Sequence, residues 1–251
     1  MNPEALKELL YKIADDQLIL GHRNSEWTGL GPILEEDIAF SSMAQDKIGQ
    51  SHAFYQLLNR LGESNPDTLA FLRKGDNFHN CQLVELPNQE YDFSLVRHFL
   101  FDKAEILRFE MLSQSSYEPL ALLAKKLKGE VKYHVMHADT FIKQLGNANE
   151  ESIDRLQTSL NACFPFALGI FEPSPYEEAL IENGIFSGEG TLQSKWIETV
   201  FSTISQTELV LPEIDSVEPV FGGREGQHTA YLQPLLDEMS EVINIDPTAE
   251  W

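Results

Sequence analysis

The sequence predicts an all-α protein, organised as a bundle of long helices with shorter helices in its C-terminal part. Apolar residues recur at steps of three and four along most of the chain, which is the period of an α-helix. No segment alternates apolar and polar residues around a hairpin turn, as paired strands would. The chain has 251 residues, enough to bury a core without disulfides or metals. Because no break in composition divides it, we expect a single domain over residues 1–251.

The first two long helices are predicted from their apolar rows and from the residues at their ends. An apolar row covers residues 4–21, and a run rich in glycine and proline over residues 24–32 is expected to be a loop. The second helix, over residues 34–61, begins with acidic residues, which the positive end of the helix dipole favours. Gly62 follows it, as expected for a glycine that ends a helix.

The rest of the chain continues the helical pattern with two irregular interruptions. Residues 71–87 and 209–221 are expected to form short or extended pieces, and Pro165 is expected to distort the helix that contains it. We predict further helices over residues 93–114, 118–145, 151–171, 176–182, 191–204 and 228–242. In the last one Pro234 either bends the helix or marks its true start.

The charge of the chain excludes several classes of function. It carries 18 basic and 40 acidic residues, a net charge of −22 at pH 7. Such a surface repels phosphates, which excludes a general affinity for nucleic acid and argues against binding to anionic membranes. Cys81 and Cys163 follow no metal or disulfide spacing, which suits a reducing compartment. No apolar run reaches the ~18 residues of a membrane span, and the acidic start is unlike a signal peptide. We expect a cytoplasmic protein.

Each long helix places polar residues within or beside its apolar row, so these side chains should point towards the other helices. Inward carboxylates cost free energy unless they are paired. We therefore predict a buried polar network and assign no catalytic, cofactor-binding or metal-binding residue. The members of the predicted network are Asp16 on the first helix, Asp46, Lys47 and Gln50 on the second, Asp102 on the third, and Glu130, His134 and His137 on the fourth.

The placement of these carboxylates is similar to that in ferritin-like di-iron bundles, where two helices each supply Glu-x-x-His. That spacing puts both ligands on one face of a helix. In this chain Gly49 stands three residues after Asp46, and Tyr133 stands three residues after Glu130. We therefore expect no di-iron centre. Two alternatives remain open for these residues, namely metal binding and simple surface placement.

Other candidate residues have a structural interpretation. His52, His79, His98 and His228 lack ligand spacing, and we interpret them as structural. The lysines between residues 125 and 132 are the one basic concentration, for which a solvated helix face is favoured over a docking site. The sequence contains no G-x-G-x-x-G, P-loop, G-x-S-x-G or H-E-x-x-H motif, so nothing indicates a nucleotide site or a nucleophilic hydrolase.

Several specific motifs carry a resemblance to a known family. They are Asp-Asp-Gln-Leu-Ile-Leu-Gly-His-Arg at 15–23, Glu-Trp-Thr-Gly at 26–29, Asp-Lys-Ile-Gly-Gln at 46–50, Gly-Gly-Arg-Glu-Gly-Gln-His-Thr at 222–229, and Pro-Thr-Ala-Glu-Trp at 247–251. With these motifs the chain resembles the C-type subunits of bacterial phenylacetyl-CoA epoxidases, the multicomponent monooxygenases of phenylacetate catabolism. The likeness runs from about residue 5 to Trp251.

This resemblance implies a ferritin-like fold and a non-catalytic role. In that family a paralogous A subunit holds the di-iron centre and the CoA-thioester site, and the C-type protein stabilises it. The system also includes a small B subunit and a reductase with flavin and an iron–sulfur cluster, fed by NADPH, and its product is a ring 1,2-epoxide. The resemblance implies no cofactor in this chain, and it makes the A subunit the expected partner. It leaves the B subunit, the reductase and a homodimer open as further contacts.

Two other hypotheses remain. In the first, the chain is a ferritin-like di-metal oxygenase in its own right, with Asp16, Asp102, Glu130 and His134 or His137 as ligands. In the second, it is a helical interaction protein without an oxygenase. Metal analysis separates the first from the others, and co-purification with a di-iron paralogue separates a structural subunit from an unrelated interaction protein.

Overall fold

The computed structural model describes residues 2–246, and in this range the chain is helical, with turns, short 3-10 segments and no β-strand. The all-α prediction is confirmed. Within the same range no helix combines the length and the apolar character needed to cross a membrane. The predicted motif at 247–251 lies outside the described residues. The helices are α1 (Pro3–Ser25), α2 (Leu34–Arg60), α3 (Pro66–Phe71), α4 (Tyr91–Leu112), α5 (Glu118–Leu145), α6 (Glu150–Leu168), α7 (Glu177–Glu182), α8 (Glu189–Ile204) and α9 (Leu232–Ser240).

The chain divides into two compact units. The mid-chain unit consists of residues 88–221 with the first turn of α1, and the split unit consists of residues 7–87 together with the segment that starts at Gly222. Each unit has its own buried apolar side chains. The expectation of a single domain stays a prediction.

Helix α4 is the centre of the mid-chain unit and packs against α5, α6 and α8. Its polar residues reach the neighbouring helices through ion pairs. The Lys103 ammonium lies 2.8 Å from Asp139 of α5 and donates to Thr203 of α8. Arg108 donates to both carboxylate oxygens of Glu189, at 2.7 and 3.0 Å. These charges can be buried because each has a partner within hydrogen-bonding distance.

An aromatic cluster fills the space between α4, α6 and α8. Trp196 is fully buried, and its indole N–H donates to the Leu100 carbonyl at 2.8 Å. The ring centroids of Phe164 and Phe171 lie 5.7 and 5.1 Å from that of Trp196. Buried aromatic rings contribute large apolar area in addition to their ring contacts, so this cluster is a main source of stability for the mid-chain unit.

The end of α6 differs from its prediction. A helix was expected over residues 151–171, but α6 ends at Leu168 and a 3-10 turn follows from Gly169. Pro165 lies within the helix without ending it. A Cβ atom on Gly169 would lie 2.2 Å from the Val220 carbonyl oxygen. The close passage of the segment around Val220 therefore requires glycine here.

In the split unit, α1 and α2 approach closely at Gly21, where a Cβ atom would lie 2.9 Å from the Ile48 side chain. Helix α3 packs against α2 and α9. The last helix starts at Leu232 and not at residue 228, with Pro234 in its first turn, so the alternative in which Pro234 marks the start is the closer one. The side chain of His228 is hydrogen-bonded to Glu85, and this holds residues 228–231, which precede α9, in a loop.

We predict that Trp196→Ala lowers the free energy of unfolding by about 3–5 kcal/mol, because it leaves a cavity among packed rings. Urea denaturation followed by circular dichroism measures the change. The control is Phe201→Ala on the exposed face of the same helix, for which we expect a change within about 0.5 kcal/mol. Equal effects of the two substitutions would contradict the assigned core.

Candidate functional site

Two adjacent carboxylates, Asp15 and Asp16, are buried on α1 of the split unit. Neighbouring residues on a helix point about 100° apart, so the two side chains meet different partners. Asp15 accepts hydrogen bonds from the Tyr55 hydroxyl and an Arg73 nitrogen, each at 2.5 Å, and from the backbone N–H of His79 at 2.8 Å. Burial, and then the charge of Asp15, raise the pKa of Tyr55 well above its ordinary value, so the phenol stays protonated as a donor.

Asp16 is held by a second arginine, far away in sequence. Two nitrogens of Arg224 donate to the two oxygens of Asp16, both at 2.8 Å. The backbone N–H of Cys81 donates to Asp16 as well, at 2.8 Å. Arg224 also donates to the carbonyls of Lys12 and His79. A paired, bidentate arginine–carboxylate contact of this kind is among the strongest hydrogen-bonded pairs in proteins.

Arg224 belongs to residues 222–229, called the arginine loop below. Its glycines have a geometric cause. Gly222 and Gly226 have φ angles of +109° and +79°. Residues that carry a Cβ atom rarely adopt this backbone conformation. A Cβ atom on Gly223 would lie 2.4 Å from the Asn80 carbonyl oxygen, and one on Gly226 equally close to the Asp76 carbonyl oxygen. The loop can therefore lie against the segment 76–81 only with glycine at these positions.

The other end of the arginine loop binds a third buried carboxylate, Glu85. His228 Nδ1 lies 2.6 Å from one oxygen of Glu85, and the backbone N–H of Thr229 donates to the other at 2.7 Å. The Asn80 amide also donates to Glu85, at 2.9 Å. The loop thus supplies polar partners for Asp16 at one end and for Glu85 at the other.

On α2, the predicted network residues differ in burial. Lys47 and Gln50 are fully buried, whereas Asp46 is partly exposed. A buried ammonium is costly unless it is paired, and Lys47 is not without an interaction partner in the structure. This part of α2 therefore presents a cation and an amide to the interior.

In the mid-chain unit, α4 and α5 bring an imidazole cluster together with Asp102. Asp102 is fully buried and contacts His98 one turn earlier on α4. The ring centroid of His98 lies 5.5 Å from that of His137 and 6.2 Å from that of His134. Burial lowers the pKa of His98, while the charge of Asp102 opposes that shift and His137 and His134 add to it. Glu130 of α5 is partly exposed.

The structure thus places the predicted residues in two local groups. Asp102, His134 and His137 gather around His98, and Asp16 is bound by Arg224, which the sequence marks only as part of a motif. That all eight residues form one network stays a prediction. The partners missed were His98, Arg73, Arg224 and Glu85. The spacing of four between His98 and Asp102 was a usable signal, whereas nothing in the local sequence marks Arg73 or Glu85.

The donor set does not fit a di-iron centre. Both oxygens of Asp16 are occupied by a guanidinium, and Lys47, the residue after Asp46 in sequence, is a fully buried cation. Among residues 2–246, no group of three or more His, Cys, Asp and Glu side chains is arranged to hold a metal ion. Carboxylate-bridged iron requires carboxylates and imidazoles in the Glu-x-x-His pattern, and here a guanidinium neutralises Asp16.

We predict that Arg224→Ala lowers the free energy of unfolding by about 3–5 kcal/mol, since it leaves the Asp16 carboxylate buried without its counter-charge. The double variant D16N/R224M should lose less than the sum of its single substitutions, which chemical denaturation can measure. The control is Arg155→Ala, which removes the exposed Arg155–Glu151 pair on α6 and should cost about 0.5 kcal/mol or less. A similarly small loss for Arg224→Ala would show that the Asp16–Arg224 pair is not needed for the stability of the fold.

We predict that acid destabilises the fold partly through His98. Its pKa is lowered in the folded state, so below pH ~6.5 the unfolded chain takes up a proton that the folded chain does not. The contribution of neutral His98 to the free energy of unfolding is fully present above the unfolded pKa. It is lost as the pH falls, by up to about 1.4 kcal/mol per pH unit. The unfolding free energy of His98→Gln should therefore decline less steeply from pH 7 to 5.5. Identical slopes for both proteins would refute the role of His98.

Comparisons with known proteins agree with these observations. A family model described as phenylacetic acid catabolic protein matches residues 1–251. A relative from Escherichia coli (strain K12), named as the C subunit of 1,2-phenylacetyl-CoA epoxidase, is 32% identical over 241 residues, which is 96% of each chain. The family is helical and ferritin-like, so the predicted ferritin-like fold is confirmed. Because the family model matches the full length of the chain and the fold is helical as in that family, the chain belongs to the phenylacetic acid catabolic protein family.

Proposed function

We propose that this chain is a non-catalytic structural subunit of a phenylacetyl-CoA epoxidase, in which it stabilises the di-iron catalytic A subunit. The observation that carries the proposal is the Asp16–Arg224 pair, in which a guanidinium occupies both oxygens of the inward carboxylate. The near full-length similarity to the C subunit of such an epoxidase supports the setting. The proposal includes an NADPH-dependent complex, a cytoplasmic location and no cofactor in this chain.

The chemistry of the interior supports a structural role. An oxygenase must activate O₂ at a metal or another cofactor, and a metal needs open coordination positions and available ligands. Here Asp16 is paired with Arg224, and α2 buries a cation, Lys47. A chain in which Asp16 has a guanidinium as its partner can keep the shape of a ferritin-like bundle without supplying its chemistry.

A second candidate is a ferritin-like di-metal oxygenase acting on its own, and one observation favours it. His98, His134 and His137 lie near Asp102 in the mid-chain unit, which gathers imidazole and carboxylate groups within one helix pair. The contact between His98 and Asp102 favours the structural role, since each group already serves as the other's partner. Iron analysis separates the two candidates.

We predict that the purified chain, after expression in iron-supplemented medium, contains no stoichiometric iron and forms no epoxide from phenylacetyl-CoA. It should restore solubility or NADPH-dependent epoxide formation to the co-encoded catalytic subunit when the reductase is present. Elemental analysis and product chromatography make the two measurements. Two irons per chain with an oxo-to-iron absorption band would favour the second candidate. Full activity and normal solubility of the catalytic subunit without this chain would reject the structural role.

A further inference from the structure

The solvent-exposed face of α2 is uncharged over most of its length. Between residues 38 and 56 the exposed positions of this helix follow each other at steps of four and three, so they form one stripe. None of them is Asp, Glu, Lys or Arg, in a chain of which these four residue types make up 23%. The stripe begins next to Leu34, which is 72% exposed. Its members are Ile38, Ser42, Gln45, Gly49, His52 and Gln56.

The exposed surface of α6 differs from this stripe. On α6 the exposed residues include Glu151, Asp154 and Arg155, as expected for a surface that faces water. In contrast, Leu34 and Ile38 of α2 are 72% and 60% exposed one turn apart. Apolar side chains that lie together on a surface otherwise rich in charge are typical of protein–protein contacts.

A groove of about 700 Å³ runs beside the stripe within the split unit. The end of α1 contributes Leu18, α2 contributes Ile48, and α3 contributes Ala70 and Phe71. Gln45, Gly49 and His52 of the stripe also line it. The groove and the stripe therefore form one continuous surface, called the α2 face below, with an apolar floor and small or neutral groups at its edge.

Gly49 lies in the middle of the α2 face. Glycine inside a helix costs about 1 kcal/mol relative to alanine, so it needs a physical reason. A Cβ atom on Gly49 would meet no atom within 4 Å, whereas one on Gly21 would crowd Ile48 and one on Gly169 would collide with Val220. Packing within this chain therefore explains Gly21 and Gly169 but not Gly49, nor Gly129 and Gly190, which also have open space at the Cβ position. Of these three, Gly49 lines the groove. Close approach of another backbone from outside the chain would explain it.

We propose that the α2 face is the docking surface for a helix of the catalytic partner subunit, with Gly49 as the point of closest backbone approach. This inference rests on the proposed function and adds the surface through which it acts. A helix that lies in a groove inserts apolar anchors at steps of three and four, which suits a floor of Leu18, Ile48 and Phe71. The stripe from residue 38 to 56 is long enough for several turns, since each residue adds about 1.5 Å.

Charge favours a partner subunit over a second copy of this chain. Glu35 and Asp37 border the apolar start of the stripe, and Asp67 lines the groove. Two copies would bring these acids together, in chains that each carry a net charge of −22, and like charges brought together at an interface cost free energy. The partner helix should therefore carry apolar residues in its centre and basic residues at its edge.

The test compares Gly49→Gln with the matched control Gly129→Gln. Gly129 is another exposed glycine in a helix interior whose Cβ would meet no atom within 4 Å, but it lies among the lysines of α5. Both variants should keep or raise the melting temperature, because glutamine favours helices over glycine. Titration calorimetry with the purified catalytic subunit should give at least about tenfold weaker binding for Gly49→Gln only. Unchanged affinity, or an equal loss in both variants, would overturn the proposed surface.

A second pair of variants tests the neutral character of the stripe. Gln45→Arg places a charge in its centre, and Thr158→Arg places one on the exposed face of α6. We expect only the former to weaken binding. If the unmodified chain itself fails to bind the catalytic subunit, the proposed function fails. If it binds and the α2 variants bind equally well, only the docking surface is wrong. A homodimer of the isolated chain that Gly49→Gln dissociates would assign the face to a second copy and overturn the choice of partner.

Discussion

The burial of two adjacent carboxylates on one helix governs the architecture of the split unit. Asp15 and Asp16 would each cost several kcal/mol if left unpaired in the interior, so each requires its own cation. Arg73 and Arg224 supply them from positions 58 and 208 residues away in sequence. The segment that follows α3 and the arginine loop must therefore both pack on α1, and the glycines of that loop follow from this approach. In di-iron bundles metal ions neutralise inward carboxylates, whereas here guanidinium groups neutralise Asp15 and Asp16.

The same arrangement makes the thiol of Cys81 unreactive. Burial, followed by the charge of Asp16, raises the pKa of Cys81 well above its ordinary value, so its thiol stays protonated while its backbone N–H serves Asp16. Burial also raises the pKa of Cys163 in the mid-chain unit, to about 12. A thiol that does not ionise is a poor nucleophile and a poor metal ligand. Both cysteines therefore act as small apolar side chains of the interior.

The helices were predictable because their apolar rows repeat with the helical period, and the predicted bounds of α5 agree with the structure. The start of α9 was not predictable from this period. His228 and Thr229 form hydrogen bonds with Glu85, which is distant in sequence, and these bonds override the local helical pattern. For the candidate site, the sequence identified Asp16 and Asp102 as inward acids but not their partners. His98 is a near neighbour of Asp102 in sequence, whereas Arg224 and Asp16 meet only through the tertiary fold. Local periodicity indicates which face of a helix is buried, but it carries no information about which distant cation pairs with which acid.

The distance in sequence between Asp16 and Arg224 also has a consequence for biosynthesis. During translation the N-terminal helices leave the ribosome long before the arginine loop is made, since 208 residues separate the two partners. Until then Asp16 lacks its counter-charge, and the nascent split unit can hold that acid only in contact with water. Native packing around α1 is therefore expected to be completed only once the arginine loop has been made. Contacts of such long range slow folding, and a nascent chain of this kind spends its synthesis with apolar helix faces exposed to the ribosome surface and to chaperones.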